Sequence, residues 1–235
     1  MFAGIMWIGQ TYFFTWLDRT LHQEGNVWMV HSGGFYVVDK KGAGVLLPQK
    51  LHWFKWEAAT TWISGFLLMI LVYYAGGLMT RNEAALSVAL LVTGWFVYDV
   101  LWLALESRET AGVVISFILL VGAIFMMTRL FNGRAAYMQI GAMLGSFMAA
   151  NVWVRILPAQ RRLIAAAQEG REPDLRLADR AKQRSKQNTF MVLPVVFIMI
   201  SNHFPVATYG NSYNWLVLSV LVLVGWGAAK IIRSR

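Results

Sequence analysis

Long blocks of apolar residues are the feature of this sequence that most restricts its fold. A helix of about 20 such residues matches the roughly 30 Å thickness of the hydrocarbon layer of a bilayer. Seven stretches approach or exceed that length: residues 1–17, 59–79, 84–105, 110–128, 135–157, 188–206 and 213–232. The sequence therefore predicts an all-α fold, a single polytopic membrane domain over residues 1–235, with the lipid bilayer as its first partner.

Composition supports the same class of protein. Hydrophobic residues make up 57% of the chain and charged residues 14%, against about 25% charged in an average soluble domain. The absence of cysteine excludes disulfides, thiolate metal sites and covalently attached c-type haem in this chain. The net charge of +9 does not indicate nucleic acid, since Lys and Arg collect in the cytoplasmic loops of membrane proteins.

The distribution of Lys and Arg predicts the orientation. With seven spans, one side receives the segments 18–58, 106–109 and 158–187 and the C-terminus, and together with the span-end residues Arg155 and Lys230 this side holds 18 of the 21 basic residues. The other side holds Arg81, Arg129 and Arg134. We therefore expect an outside N-terminus and a cytoplasmic C-terminus in a bacterial inner membrane. Because only 17 residues precede Asp18, we also expect the polypeptide to begin upstream of Met1.

Two segments are expected outside the bilayer. Residues 18–58 are predicted to form an interfacial loop between the first two spans. Residues 158–187 are predicted to form a basic cytoplasmic loop that opens at Pro158 and consists of a helical pair broken at Gly170–Pro173. Such a basic loop indicates either topology and contact with anionic lipid, or a docking surface for an acidic partner. The residues of that candidate surface are Arg161, Arg162, Arg180, Lys182 and Arg184.

Asp99 is the ionisable residue that lies deepest in a predicted span. It is about six residues from the cytoplasmic end, or roughly 9 Å, and Arg155 at a comparable depth could pair with it. Charged groups inside a membrane usually mark a functional site, here a proton or quinone site. A structural ion pair is the alternative.

Histidine determines whether the bundle could hold haem. Haem b between helices needs two imidazoles, but of His22, His31, His52 and His203 only His203 falls in a predicted span, so haem b is disfavoured and no metal site is predicted. The segment 31–36 has glycines that would let a ligand approach the backbone, or is only a flexible loop. The catalytic candidates are therefore His31, His52, His203 as a possible proton relay, and Asp99.

Glycines inside the spans are expected to serve packing. They are Gly94, Gly122, Gly141, Gly145 and Gly225, and Gly141 and Gly145 form a GxxxG pattern. Small residues at this spacing let transmembrane helices approach closely.

Several stretches of the chain resemble the membrane domain of the urate oxidase N-terminal family, the bacterial membrane-bound urate hydroxylases. They are AGIMWIG (3–9), FTWLD (14–18), VHSGGFYVV (30–38), LHWFKWEAATTWISGF (51–66), GWFVYDVL (94–101), GAMLGSFMAANV (141–152), AKQRSKQN (181–188) and ISNHFPVATYGNSYNWL (200–216). They follow family order across nearly the whole chain, and together they are far more specific than hydropathy alone.

The resemblance implies a domain associated with purine oxidation, followed in full-length members by an eighth helix and a cytochrome c domain that this chain lacks. It also implies histidines where this chain has Gln139, Gln187 and Asn211, so any haem or redox chemistry that depends on them would be deficient here. His31, His52 and His203 match family histidines.

Two functions follow from the resemblance, and a third class is disfavoured. The first is a membrane component of a urate-type oxidation system, in electron transfer with a cytochrome c. The second is a non-catalytic anchor that docks a soluble oxidoreductase such as a molybdenum hydroxylase. A transporter is disfavoured, because Asp99 is the one ionisable residue deep in a predicted span and no internal repeat is evident.

Overall fold

The computed structural model describes residues 2–41 and 51–234. Within these residues the chain forms seven helices and one β-hairpin. The helices are α1 (Phe2–Glu24), α2 (Trp56–Tyr74), α3 (Arg81–Ala104), α4 (Glu109–Leu130), α5 (Gly133–Gln168), α6 (Leu175–Ile200) and α7 (Asn214–Ser234), and the antiparallel strands are β1 (Asn26–His31) and β2 (Gly34–Asp39). The predicted all-α class is confirmed.

Five of the seven helices in the described residues are long and apolar enough to cross a membrane, namely α2, α3, α4, α5 and α7. Helix α1 and helix α6 are not among them. In α6 the reason is plain, because its first half carries the polar run from Arg176 to Gln187 and its apolar half begins only at Asn188. The composition of its helices thus makes the chain a multi-pass membrane protein. Two of the seven predicted spans, those in α1 and α6, are not long and apolar enough to count among the candidate spans.

Helix α5 lies at the centre of the bundle. It contacts α2, α3, α4 and α6, and α7 packs against α4 and α6. In α5, 56% of the residues of its apolar stretch are buried, against 17–28% in the other four candidate spans. The other spans expose large apolar side chains such as Phe96, Val100, Ile118 and Leu223. Such a surface is stable in contact with lipid and costly in water.

The segments that connect the helices lie at two opposite ends of the bundle. We call the end that contains the segment between α5 and α6 the basic end. The basic end is joined by hydrogen bonds from Arg19 to the Ile232 carbonyl (3.4 Å), from Arg180 to Glu106 (2.6 Å) and from Lys186 to Glu109 (2.5 Å). The opposite end is joined by hydrogen bonds from Asn132 to the Leu78 carbonyl (2.9 Å) and from Arg134 to Asn202 (3.1 Å). Consecutive helices therefore run antiparallel, as short connections require.

Helix α5 continues past the position where the basic segment was predicted to open. A π-helical turn at Asn151–Ile156 precedes Pro158, and the N–H of Leu157 donates to the carbonyl of Val152, five residues back. Pro158 thus stands at the start of the next α-helical turn, where its missing N–H is tolerated. The chain leaves this helix after Gln168 and α6 begins at Leu175, so helices lie on both sides of Gly170–Pro173 as predicted, and the cytoplasmic position of residues 158–187 stays a prediction.

The segment 31–36 forms the turn of the β-hairpin. Ser32 and Gly33 have φ values of +50° and +79°, the left-handed conformation that two-residue hairpin turns require. The hairpin packs Val27, Met29 and Val38 against the end of α1. Gly33 thus shapes a turn within the segment 18–58, whose interfacial position stays a prediction; residues 42–50 of that segment lie outside the described residues.

Three of the five glycines predicted to serve packing do so. A Cβ atom added at Gly94, Gly141 or Gly225 would come within 3.1 Å of a side chain on a neighbouring helix. At Gly122 and Gly145 it would meet nothing within 4 Å. In the GxxxG pattern only the first glycine therefore brings two helices together, here α5 and α6 at Ile198.

Candidate functional site

Asp99 is held by two arginines from two other helices. Arg155 of α5 donates through Nε to Asp99 Oδ1 (2.9 Å) and forms a second bond to Oδ2. Arg184 of α6 donates to Asp99 Oδ1 at 2.8 Å and to the Asp99 backbone carbonyl at 3.2 Å. The predicted pairing of Asp99 with Arg155 is confirmed, and the structure adds Arg184. We call these three residues the ion triad.

Two members of the ion triad are buried, whereas the Arg155 side chain is partly exposed. Asp99 is 8% exposed and Arg184 4% exposed. Arg184 therefore does not belong to the exposed docking surface to which the sequence assigned it. It lies inside α6, ten residues from Asp174, which caps that helix, and faces α3 and α5. Burial of such charges is tolerated only when they are paired and hydrogen-bonded.

A buried cluster of neutral polar side chains adjoins the ion triad. Asn151 donates to Tyr98 Oη and to Asn188 Oδ1, both at 2.9 Å, and Asn188 donates to the Met148 carbonyl at 3.1 Å. The Tyr98 hydroxyl donates to Gln187 Oε1, and the guanidinium of Arg184 lies 5.1 Å from the centre of the Tyr98 ring. Hydrogen bonds of this kind lock α3, α5 and α6 together, because each group broken away would be left unpaired in a dry interior.

A second buried polar cluster lies toward the opposite end. The hydroxyl of Tyr74 is 2.7 Å from Ser87 Oγ, which donates to Gln139 Oε1 at 2.6 Å. Gln139 Nε2 returns a hydrogen bond to the Ser87 carbonyl at 2.8 Å. Tyr74 ends one π-helical turn (Ile70–Tyr74) and Asn151 begins the other. Both clusters thus include a residue from a π-helical turn, a feature frequent at functional sites.

The candidate histidines are exposed, and His203 lies at the end of the bundle opposite to His31. His31 ends β1, His52 packs edge-on against Phe54 (4.6 Å between ring centres), and His203 lies in a 3₁₀ turn at the opposite end. No group of three or more His, Asp or Glu able to hold a metal ion occurs in the described residues. The catalytic roles expected of His31, His52 and His203 stay predictions.

The residues present do not fit a haem held between the helices. All four histidines lie in the described part of the chain and all are exposed. Gln139 and Gln187, at two positions where the resemblance implies histidine, are engaged in the two polar clusters. A carboxamide is not an axial ligand that haem proteins use.

A pocket of about 200 Å³ opens beside the ion triad at the basic end. It lies between α3, α5 and α6 and is lined by four arginines, Arg155, Arg162, Arg180 and Arg184. Glu106 at its edge accepts a hydrogen bond from Arg180, which lowers the pKa of Glu106 below its usual range. Trp102, Leu103 and Val154 supply apolar walls.

The bundle, its two polar clusters and its lipid-facing surface define a polytopic helical membrane protein with a buried ion triad near one end. The family model described as urate oxidase N-terminal matches residues 1–234, and the chain belongs to this family. The resemblance found in the sequence is thereby confirmed. No curated protein and no solved structure matches the chain.

Proposed function

We propose that this protein is the membrane component of a purine, urate-type, oxidation system, and that it serves as a platform on which a soluble oxidoreductase docks. Membership of the urate oxidase N-terminal family supports the association with purine oxidation. The observation that favours a platform is the basic end. There α5 and α6 present exposed basic side chains outside their apolar halves, at Arg161, Arg162, Arg180 and Lys182.

Docking on these side chains is tested by removing their charge together. We expect the variant with Arg161, Arg162, Arg180 and Lys182 all changed to Gln to release purine-oxidising activity from native membranes into the supernatant at low salt, since charge complementarity guides such encounters. Arg184 stays unchanged, because it belongs to the ion triad. The matched control changes Arg19, Lys40, Lys41 and Lys55 to Gln. Activity that sediments equally with both variants rejects docking at this surface.

The platform proposal is separated from a catalytic or electron-transfer role of the chain itself by testing the purified protein. We expect the purified protein in detergent to show no haem absorbance bands in its oxidised or reduced state and no consumption of urate. The reason is that its interior lacks imidazole in every described helix. A haem band or urate turnover in the purified chain would replace the platform with an electron-transfer enzyme.

We further propose that all seven helices cross the cytoplasmic membrane, with the N-terminus outside and the basic end in the cytoplasm. The excess of Lys and Arg at one end supports this orientation. Because the chain has no cysteine, single cysteines report the topology without background. We expect a membrane-impermeant maleimide to label Phe2→Cys and Asn82→Cys in intact spheroplasts, and Ser32→Cys and Glu172→Cys only after lysis. Labelling of Phe2→Cys only after lysis would show that α1 does not cross.

A further inference from the structure

The pocket beside the ion triad carries an excess of positive charge. Asp99 is shared by Arg155 and Arg184, which leaves one positive charge, and Glu106 balances Arg180. Arg162 forms no ion pair with a carboxylate in residues 2–41 and 51–234, so it adds a second positive charge to the pocket. The pocket therefore holds a net charge of about +2, which would favour an anion of one or two charges.

The arginines of the pocket differ in how firmly they are held. Arg184 is fixed by three hydrogen bonds to Asp99 and Asn151 and is almost fully buried. Arg155 is fixed by two bonds to the same carboxylate. Guanidinium groups that are already oriented lose little entropy when they bind an anion, and their planar geometry suits the oxygens of phosphate. Arg162 lines the pocket and is exposed.

Size and position restrict the ligand. About 200 Å³ is less than the 300–1,000 Å³ typical of pockets for drug-sized molecules, so a small anionic group fits better than an extended ligand. Leu103 and Val154, which line the pocket, are also exposed on the outer surface of the bundle. The pocket thus adjoins the lipid-facing surface at the level where the apolar part of the bundle ends.

We infer that this pocket binds one phosphate group, either the headgroup phosphate of an anionic lipid or free phosphate. Basic pockets between transmembrane helices at the cytoplasmic side are suited to anionic headgroups. The inference is independent of the proposed docking function, since it concerns the purified chain without a partner.

Adjacent arginines of α5 supply a matched test. Arg161 and Arg162 are both exposed, but only Arg162 lines the pocket. We expect phosphatidylglycerol, added to the protein in detergent and counted by native mass spectrometry, to bind about tenfold more weakly to Arg162→Gln than to the unchanged protein. Arg161→Gln, with the same loss of charge, should bind as the unchanged protein does. Arg180→Gln is a second pocket variant should Arg162→Gln fail to fold.

The source of the phosphate is distinguished by parallel titrations with inorganic phosphate and with phosphatidylcholine, each followed by the thermal unfolding of the protein. Stabilisation by phosphatidylglycerol alone, dependent on Arg162, assigns the site to lipid, whereas the same dependence with inorganic phosphate assigns it to free phosphate. Equal weakening in Arg161→Gln and Arg162→Gln would show diffuse charge attraction and overturn the inference. The absence of binding by both phosphatidylglycerol and inorganic phosphate would overturn it as well.

Discussion

Replacing Asp99 by alanine is expected to destabilise the protein more than the loss of any ion pair on its surface. The variant would leave Arg155 and Arg184 facing each other without the carboxylate that both now share. Removing one partner of a buried ion pair costs about 3–5 kcal/mol, and here it is the charge of the buried Arg184 that would be neither solvated nor neutralised, whereas Arg155 is partly exposed. For a chain of this length such a loss lowers the melting temperature by about 10 °C, which thermal unfolding in detergent would detect.

An exposed ion pair provides the control for this prediction. Asp18 pairs with Lys40 at 2.6 Å, but both side chains are 63% exposed. Pairs of this kind contribute about 0–1 kcal/mol, since water and salt screen them. Asp18→Ala should therefore unfold close to the unchanged protein. Equal melting temperatures for Asp99→Ala and Asp18→Ala would contradict a structural role for the ion triad.

The second large effect is expected at Gly225 of α7. A Cβ atom there would lie 2.8 Å from Cδ and 3.1 Å from N of Pro194 in α6. Neither the proline ring nor the backbone can rotate away, so Gly225→Ala must push the two helices apart. Overpacking of this kind costs about 1–3 kcal/mol.

Gly227, one half-turn along α7, is the matched control, because a Cβ atom at that position meets nothing within 4 Å. Gly227→Ala should be neutral or stabilise α7 by up to about 1 kcal/mol, the advantage of alanine over glycine in a helix. The two melting temperatures measured in the same detergent check the prediction. A loss of stability in Gly227→Ala equal to that in Gly225→Ala would refute the close contact at Pro194.

Hydropathy predicts most of the helices, because each apolar block is long enough to be read from composition. It fails where a helix is polar, as in the first half of α6, since composition records the charges but not their partners. Arg184 shows the consequence: in the sequence it is one of a run of basic residues, whereas in the fold it is buried against Asp99. Gln187 and Asn188 lie three and four residues after Arg184, a spacing that places all three side chains on one face of a helix. This spacing could have predicted that Arg184 faces the interior together with the two amides.

The candidate site was predictable only in part. The depth of Asp99 and Arg155 in their spans predicts that they meet, because both lie a similar distance from the same end. Asn151 and Pro158 could not be placed, since their positions depend on a π-helical turn that widens α5. The sequence left open whether the segment at Ser32 and Gly33 contacts a ligand or forms a loop, because glycine serves tight turns and ligand contacts equally well.

The ion triad fixes the polar half of α6 against α3 and α5, and α5 itself runs on for 12 residues beyond its π-helical turn. At 1.5 Å per residue this extension is about 18 Å long. The basic side chains on these two helices therefore project from rigid helices rather than from a flexible loop. A protein that settles on it would meet a surface whose backbone is already ordered, so little conformational freedom is lost on contact.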